Sequence, residues 1–299
     1  MDKVLVIIVT YNGMKWADHC FGSLRSSSVP LDVVMIDNGS TDGTVAYVSE
    51  IFPEVKIIQS HENLGFGKAN NVGMQIALDK GYDYVYLLNQ DAWIMPDTIA
   101  TLIKVQKKNP EYGVLSPMQM EENMRYFDRN FAVNVLGNSQ CVSPCCLSDM
   151  YRGQMQDVYD VKFVMAAHWL ISKDCLFKVG GFSPTFPHYG EDDNYLQRVN
   201  YWKMKVGIVP LAQAVHNREN REESEEKLIY ITKYVQVLIV VSRPGHRVAL
   251  KRFIKAYLQA GILYGVKWAR RYAFRLMKER KGINYNYQCS LKQGAFLKH

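Results

Sequence analysis

The sequence predicts an α/β fold built on a parallel sheet, and three observations carry that prediction. Between residues 4 and 91, short apolar runs of strand length alternate with stretches of helical periodicity. The first of these runs is unbroken, as expected of a strand covered on both faces. Three strand ends run into turns rich in Asn, Asp and Gly, which gathers those turns on one edge of the sheet.

Val4 to Val9 is the first strand and leads into Thr10-Tyr-Asn-Gly13. Trp16, Cys20 and Leu24 recur at helical spacing until Ser26-Ser-Ser28 and Pro30 stop them. Val33 to Ile36 is the second strand, ending in Asp37-Asn-Gly-Ser-Thr-Asp-Gly43. Val45 to Phe52 reads as a helix with Asp42 or Thr44 as its cap, and Val55 to Ile58 as the third strand. Asn63-Leu-Gly-Phe-Gly67 opens the next loop, before a helix over residues 68–80 that Gly81 ends. The apolar run from Tyr84 then stops abruptly in Asn89, Gln90 and Asp91. Two readings of Asp91 stand. It caps the following turn, or it supplies oxygen to a hard cation that holds phosphate.

Composition narrows the classes. With 48% hydrophobic and 22% charged residues the chain is globular. Its 299 residues suffice for one large domain or a domain with an appendage. Residues 1–224 carry 20 basic and 26 acidic side chains, whereas residues 225–299 carry 16 and 3. The basic character therefore belongs to the C-terminal quarter and points to an anionic partner there. Cys141, Cys145 and Cys146 lack the second Cys or His pair of a zinc finger, so a structural zinc is not expected. The six apolar residues after Met1-Asp-Lys are too few for a signal peptide, and no apolar stretch approaches the ~20 residues of a membrane span. A cytoplasmic location is the expectation. Gly65-Phe-Gly67 is not a dinucleotide fingerprint, which requires three glycines in the first strand-to-helix turn.

In the second half, residues 97–108 form a helix capped by Asp97, and Val114 to Pro117 a short strand. Glu121 to Asp160 is a long irregular insertion of the kind that often carries function. Val161 to Ser172 returns to strand pattern around His168 and Trp169. A helix over 191–203 begins at Glu191-Asp192-Asp193, where acids compensate the helix dipole. Three consecutive acids after an aromatic, Gly-containing loop exceed what capping needs. Val206 to Val209 and Ala214 to His216 are further strand pieces.

Residues 222–242 and 246–281 read as two helices separated by Ser242-Arg-Pro-Gly245. Leu250, Phe253, Tyr257, Gly261, Tyr264 and Trp268 form a stripe flanked by Lys251, Arg252, Lys255, Lys267, Arg270 and Arg271. A basic amphipathic helix in a membrane interface has this pattern. Packing on the preceding α/β domain, or a homodimer through these helices, is the other reading. Nucleic acid is not expected, because no recognition module accompanies the charge.

Val9-Thr-Tyr-Asn12, Ile36-Asp-Asn-Gly-Ser-Thr-Asp-Gly43, Asn63-Leu-Gly-Phe-Gly67 and Asn89-Gln-Asp91 occur in order and resemble the motifs of family-2 nucleotide-sugar glycosyltransferases, in particular the rhamnosyltransferase-like branch. The resemblance spans about residues 4–216. It implies a GT-A fold (Rossmann-like, with a mostly parallel central sheet covered by helices on both faces) plus a C-terminal helical extension. The implied domains are 1–221, divided at 117/118 into nucleotide-sugar and acceptor halves, and 222–299. It also implies inverting transfer from a UDP- or dTDP-sugar, dTDP-rhamnose included, to a hydroxyl of a glycan or lipid-linked glycan in surface polysaccharide synthesis. The pyrimidine and ribose would lie against Thr10, Tyr11, Asn12 and Asp37. Asn63, Gly65, Lys68 and Asn70 would line the ribose and diphosphate, with Asn89 and Gln90 beside them; a solvated Lys68 is the alternative. Asp91 matches the last acid of the family's Asp-x-Asp motif and, with His216, would hold Mn²⁺ or Mg²⁺; Asn89 replaces the first acid. A purely structural His216 is equally open. Asp192 matches the general base, with Glu191 its partner, and Arg198 would pair with these acids. His168, Trp169 and Tyr189 would meet the acceptor. Two rivals stand: a nucleotidyltransferase, which lacks its basic Gly-rich loop here, and an inactive nucleotide-sugar-binding scaffold.

Overall fold

The computed structural model describes residues 2–137, 146–218 and 224–298. Cys141, Cys145 and the expected domain boundary at 221/222 lie outside them. Strand β1 (Val4–Thr10) is followed by α1 (Ala17–Arg25), β2 (Asp32–Asp37), α2 (Thr44–Ile51), β3 (Lys56–Gln59), α3 (Gly65–Asp79) and β4 (Tyr84–Asn89). These four strands are parallel, in the order β3-β2-β1-β4. Chain order reverses between β1 and β4, which opens a crevice at their carboxyl ends. Register puts Thr10 beside Asp37 and Val9 beside both Ile36 and Asn89, so three polar strand ends arrive level.

The chain continues through β5 (Ala92–Ile94), α4 (Thr98–Lys108), β6 (Tyr112–Met120), α5 (Arg129–Phe131) with a π-helical turn to Leu136, α6 (Cys146–Arg152) and β7 (Tyr159–Asp160). Next come β8 (His168–Ser172), α7 (Lys173–Val179), α8 (Glu191–Tyr201) and β9 (Lys205–His216). The parallel pattern of the first half does not extend here. β8 is antiparallel to β4 and β6, and β5 and β7 are antiparallel to β9. The strand pieces expected around Val206 and Ala214 are one strand. Its ladder to β6 skips from Val209 to Gln213, a bulge at Pro210, which has no N–H to donate. Likewise the strand expected from Val161 begins only at His168.

Along β1, Val4, Val6 and Ile8 face one core and Leu5 and Ile7 the other, the two-residue period of a doubly covered strand. Gly73 of α3 lies so close to Ile7 that a Cβ would come within 2.7 Å, which seats α3 tightly on the sheet.

The tail departs furthest from expectation. α9 (Glu225–Ile229) continues through a π-helical stretch (Tyr230–Val235) into α10 (Gln236–Val241). The helix expected over 246–281 is two, α11 (Leu250–Leu263) and α12 (Lys267–Ser290), broken at Gly265 with φ 68°. They fold back on each other, Gly261 lying against Arg270 and Tyr257 edge-on to Trp268 at 5.5 Å. Leu250, Phe253, Tyr257 and Trp268 therefore pack with Tyr234, Leu238 and Tyr272 in a third core. Of the stripe, Tyr264 stays exposed, at 78%. No described helix is long and apolar enough to cross a membrane.

Candidate active site

The crevice is built from loop side chains that bond one another. Thr10 Oγ1 donates to Asp37 Oδ1 at 2.9 Å, while Asp37 Oδ2 accepts the backbone N–H groups of Gly39 (3.0 Å) and Ser40 (2.9 Å). Asp37 thus fixes its own turn. Asn12, in the left-handed region at φ 50°, accepts from Thr41 N at 2.8 Å. Gln90 closes a reciprocal pair with the Tyr11 backbone, accepting from Tyr11 N at 2.8 Å and donating to its carbonyl at 3.2 Å. The Tyr11 ring is left half-exposed over the crevice rim. Asn63 accepts from Gly65 N, and Asn38 ties the same loop to β2. Gly65, at φ 73°, lies against the Pro187 carbonyl, so the donor-side loop touches the loop that leads to Glu191.

Asp91 sits just beyond β4. Burial works against its ionised form, but His216, backbone N–H and the Arg218 charge together hold its carboxyl below the ordinary value. His216 Nε2 lies 3.5 Å from Asp91 Oδ1, and its Nδ1 lies 3.3 Å from Gln119 Oε1. Gln119 Nε2 is engaged with Ser116 Oγ and the Met165 carbonyl, so its carbonyl oxygen must face the imidazole. Nδ1 is then a donor, and Nε2 faces the carboxylate, where either a proton or a cation can bridge the two. These residues fit a divalent ion: an ionised oxygen ligand and an imidazole whose tautomer a second residue sets. Among the described residues no third His, Cys, Asp or Glu joins them. Diphosphate oxygens and water would complete the shell, the usual arrangement for Mg²⁺ at phosphates.

The acidic triplet opens α8 behind Gly190, whose φ of 82° turns the chain into the helix. Glu191 is buried, and its Oε2 has no hydrogen-bond partner. Burial, then the neighbouring Asp192 charge, push its carboxyl up to about 8. Asp193 is pushed up to about 7 by the same two causes. Asp192 is raised mainly by burial, which N–H groups of Asp193 and Ala166 and the Arg218 charge oppose. At neutral pH Glu191 thus keeps its proton, and burial makes Asp192 more basic than an ordinary carboxylate.

Residues 5–159 match the family model "Glycosyl transferase family 2", more than half of the chain. The chain belongs to glycosyl transferase family 2. It is 26% identical over 237 residues to the N-acetylglucosaminyl-diphospho-decaprenol L-rhamnosyltransferase of Mycobacterium tuberculosis, covering 73% of this chain and 76% of that one. Among solved structures, S. aureus TarS in complex with UDP-GlcNAc superposes with a TM-score of 0.56 at 14% identity, covering 97% of this chain and 81% of that one. The Pyrobaculum calidifontis mannosyltransferase in complex with GDP-Man and Mn²⁺ gives 0.55 at 18% identity, over 93% and 75%. The transferase therefore has the GT-A fold with added C-terminal helices.

Several expected site residues stand elsewhere in the transferase. His168 and Trp169 have no exposed surface. His168 donates from Nε2 to the Val215 carbonyl and faces the Tyr86 hydroxyl with Nδ1, both at 2.9 Å, and burial pushes it down to about 3. Trp169 stacks on Phe182. Both are core residues, because β8 lies mid-sheet between β4 and β6; neither meets an acceptor. Asn70 is buried and donates to the Phe66 carbonyl one turn back, so its amide is engaged within α3. Lys68 is solvated on α3. Arg198 does not pair with the acids. It donates to the carbonyls of Val179 (2.8 Å) and Gly181 and to Asn194 Oδ1 (3.3 Å), beneath the Phe296 ring. Asn194 offers no charge to draw it to the site.

Tyr189 does stand on the acid loop, below Lys227. Sequence reasoning missed Gln119 and Arg218. Gln119 lies inside an apolar strand and gave no signal. Arg218 follows His216 by two residues at the same sheet edge and bonds Asp128 at 3.3 Å while its charge reaches both Asp91 and Asp192. A cation just past a strand end was the available clue.

Proposed function

We propose that this transferase moves a sugar, with inversion, from a UDP- or dTDP-sugar to a hydroxyl of a sugar linked to lipid through diphosphate. The carrying observation is the arrangement of Asp91 and Asp192 as two carboxylates sharing Arg218, one kept ionised beside His216 and one raised in basicity at the head of α8. The similarity to the mycobacterial rhamnosyltransferase supports the acceptor class and makes dTDP-rhamnose the first donor to try.

Thr10, Asp37 and the Tyr11–Gln90 pair shape the nucleoside end of the crevice, and Asn63 and Gly65 its diphosphate side. A divalent ion held by Asp91 and His216 would supply Lewis-acid stabilisation of the departing diphosphate. Arg218 offsets the same developing charge from the protein side. Asp192 takes the proton of the acceptor hydroxyl as its oxygen bonds to the anomeric carbon and the sugar–phosphate bond breaks. Glu191, protonated at neutral pH, adds no second charge to compete with that transfer.

The α11–α12 tip carries Ile262, Leu263 and Tyr264 at 69%, 69% and 78% exposure. Residues 227–278 contain 12 Lys or Arg and no acid. An exposed apolar tip among cations suits reversible docking on an anionic membrane, where a lipid-linked acceptor resides. The deciding experiment incubates the full chain with dTDP-rhamnose and UDP-sugars, Mn²⁺ or Mg²⁺, and N-acetylglucosaminyl citronellyl diphosphate. Nucleoside diphosphate release with a glycosylated product supports the reading. Pyrophosphate release supports nucleotidyl transfer, and binding without turnover an inactive scaffold.

A further inference from the structure

A cavity of about 290 Å³ opens between α9 and α12, outside the crevice described above. Ser224, Glu226, Lys227, Tyr230, Arg271 and Arg275 line it, three cations and one carboxylate among the described residues. It adjoins the acid loop. Lys227 Nζ stands 5.2 Å from the centre of the Tyr189 ring, and a Cβ on Gly190 would meet Val235 of the same helical run at 2.7 Å.

The cations are ordered to different degrees. Arg275 is clamped, its guanidinium 4.5 Å from the Tyr234 ring centre and 5.5 Å from that of Tyr230, with Nε on Glu279 Oε1 at 2.9 Å. Arg271 pairs with Glu226, but both side chains are about 70% exposed, and a pair so open to water is a weak competitor for an incoming anion. Lys267, Arg271 and Arg275 recur every four residues on α12, so one row of cations runs about 12 Å from the exposed tip into the cavity.

We propose that this cavity binds the diphosphate of the acceptor, Lys227 and Arg271 contacting its oxygens, with the sugar directed past Tyr189 toward Asp192 and the lipid leaving along the α11–α12 tip. The proposal rests on the acceptor class given above. Its chemistry is that of charge-assisted hydrogen bonding, in which a guanidinium fork engages two phosphate oxygens and an ammonium neutralises a third. Arg271 exchanges Glu226 for the ligand. The row of cations places the site at headgroup depth when the tip is inserted. Donor and acceptor diphosphates then occupy separate pockets on either side of the acid loop.

Calorimetry on the full chain with three probes tests this: N-acetylglucosaminyl citronellyl diphosphate, citronellyl phosphate, and UDP with Mg²⁺. Lys227→Ala and Arg271→Ala should each weaken the diphosphate probe roughly 10- to 100-fold, the worth of a charge-assisted contact, and leave UDP unaffected. Glu226→Gln should tighten it, a change that damage to folding would not produce. Undiminished affinity in both alanine variants overturns the proposal. So does a parallel loss of UDP, which would assign the cations to the donor, or equal behaviour of citronellyl phosphate, which would make this a headgroup surface. Turnover separates the two claims. Wild-type binding of the diphosphate probe without transfer to it sinks the transferase reading and leaves the cavity standing. Transfer with an unchanged KM in Arg271→Ala does the reverse.

Discussion

Replacing Glu191 by Gln should stabilise the protein, by an amount that grows with pH. The side chain is 8% exposed, and its Oε2 has no partner, so ionising it leaves charge in a poorly solvated place. Its carboxyl rises from 4.5 to about 8 on folding. Below the lower value both states are protonated and the group contributes no penalty. Between the two values the folded state keeps a proton that the unfolded state has released, so stability falls as pH rises. Above about 8 the full cost is present, on the order of 5 kcal/mol as an upper bound. Glutamine preserves the shape of the protonated acid and removes the linkage. Urea midpoints should therefore nearly coincide near pH 4.5 and separate progressively toward about pH 9. Any activity loss that wild type shows as Glu191 ionises should vanish in the variant. Parallel stability curves across this range, or a variant that loses ground as pH rises, would refute the placement of a buried neutral acid beside Asp192.

Three further outcomes are expected. Asp91→Ala should weaken nucleotide binding in the presence of Mn²⁺ and leave metal-free binding little changed, as calorimetry would read; an intact metal effect would remove Asp91 from the cation site. Asp192→Asn should lower kcat by about 10²- to 10⁴-fold with donor affinity preserved. Activity within about threefold of wild type would move the base to another residue, Asp193 first. Changing Ile262, Leu263 and Tyr264 together to Ser should reduce sedimentation with anionic liposomes, whereas binding unchanged by those substitutions would reject insertion of the tip.

Much of the crevice lining was legible because its hydrogen bonding is local. Thr10, Asn12, Asp37, Asn63 and Gln90 follow strand ends directly, and each bonds within the loop cluster that parallel register brings level. The acidic triplet at the start of α8 was legible for the same reason, since three acids at a helix start announce themselves. His168 and Trp169 misled because a strand carrying a polar residue looks alike at an edge and in the middle; the antiparallel insertion of β8 between β4 and β6 buried both. The aromatic stripe misled because spacing reports a shared face but not what covers it. One turn at Gly265 folded that face inward onto Tyr257 and Trp268.

Strand and helix periods, polar strand ends and the uneven charge come from neighbours in the chain, and they specified the parallel half of the sheet and the place of its crevice. Which groups complete Asp91 depended on residues far away in sequence. Gln119 reaches His216 across 97 residues, and its amide orientation, set by Ser116 and Met165, fixes Nδ1 as a donor and leaves Nε2 facing the carboxylate. Arg198 likewise lost its acids to backbone carbonyls once the packed Phe296 and Asn194 enclosed it. Side-chain ionisation and hydrogen bonding are decided by burial and by the few partners within about 3 Å, and only packing assigns those.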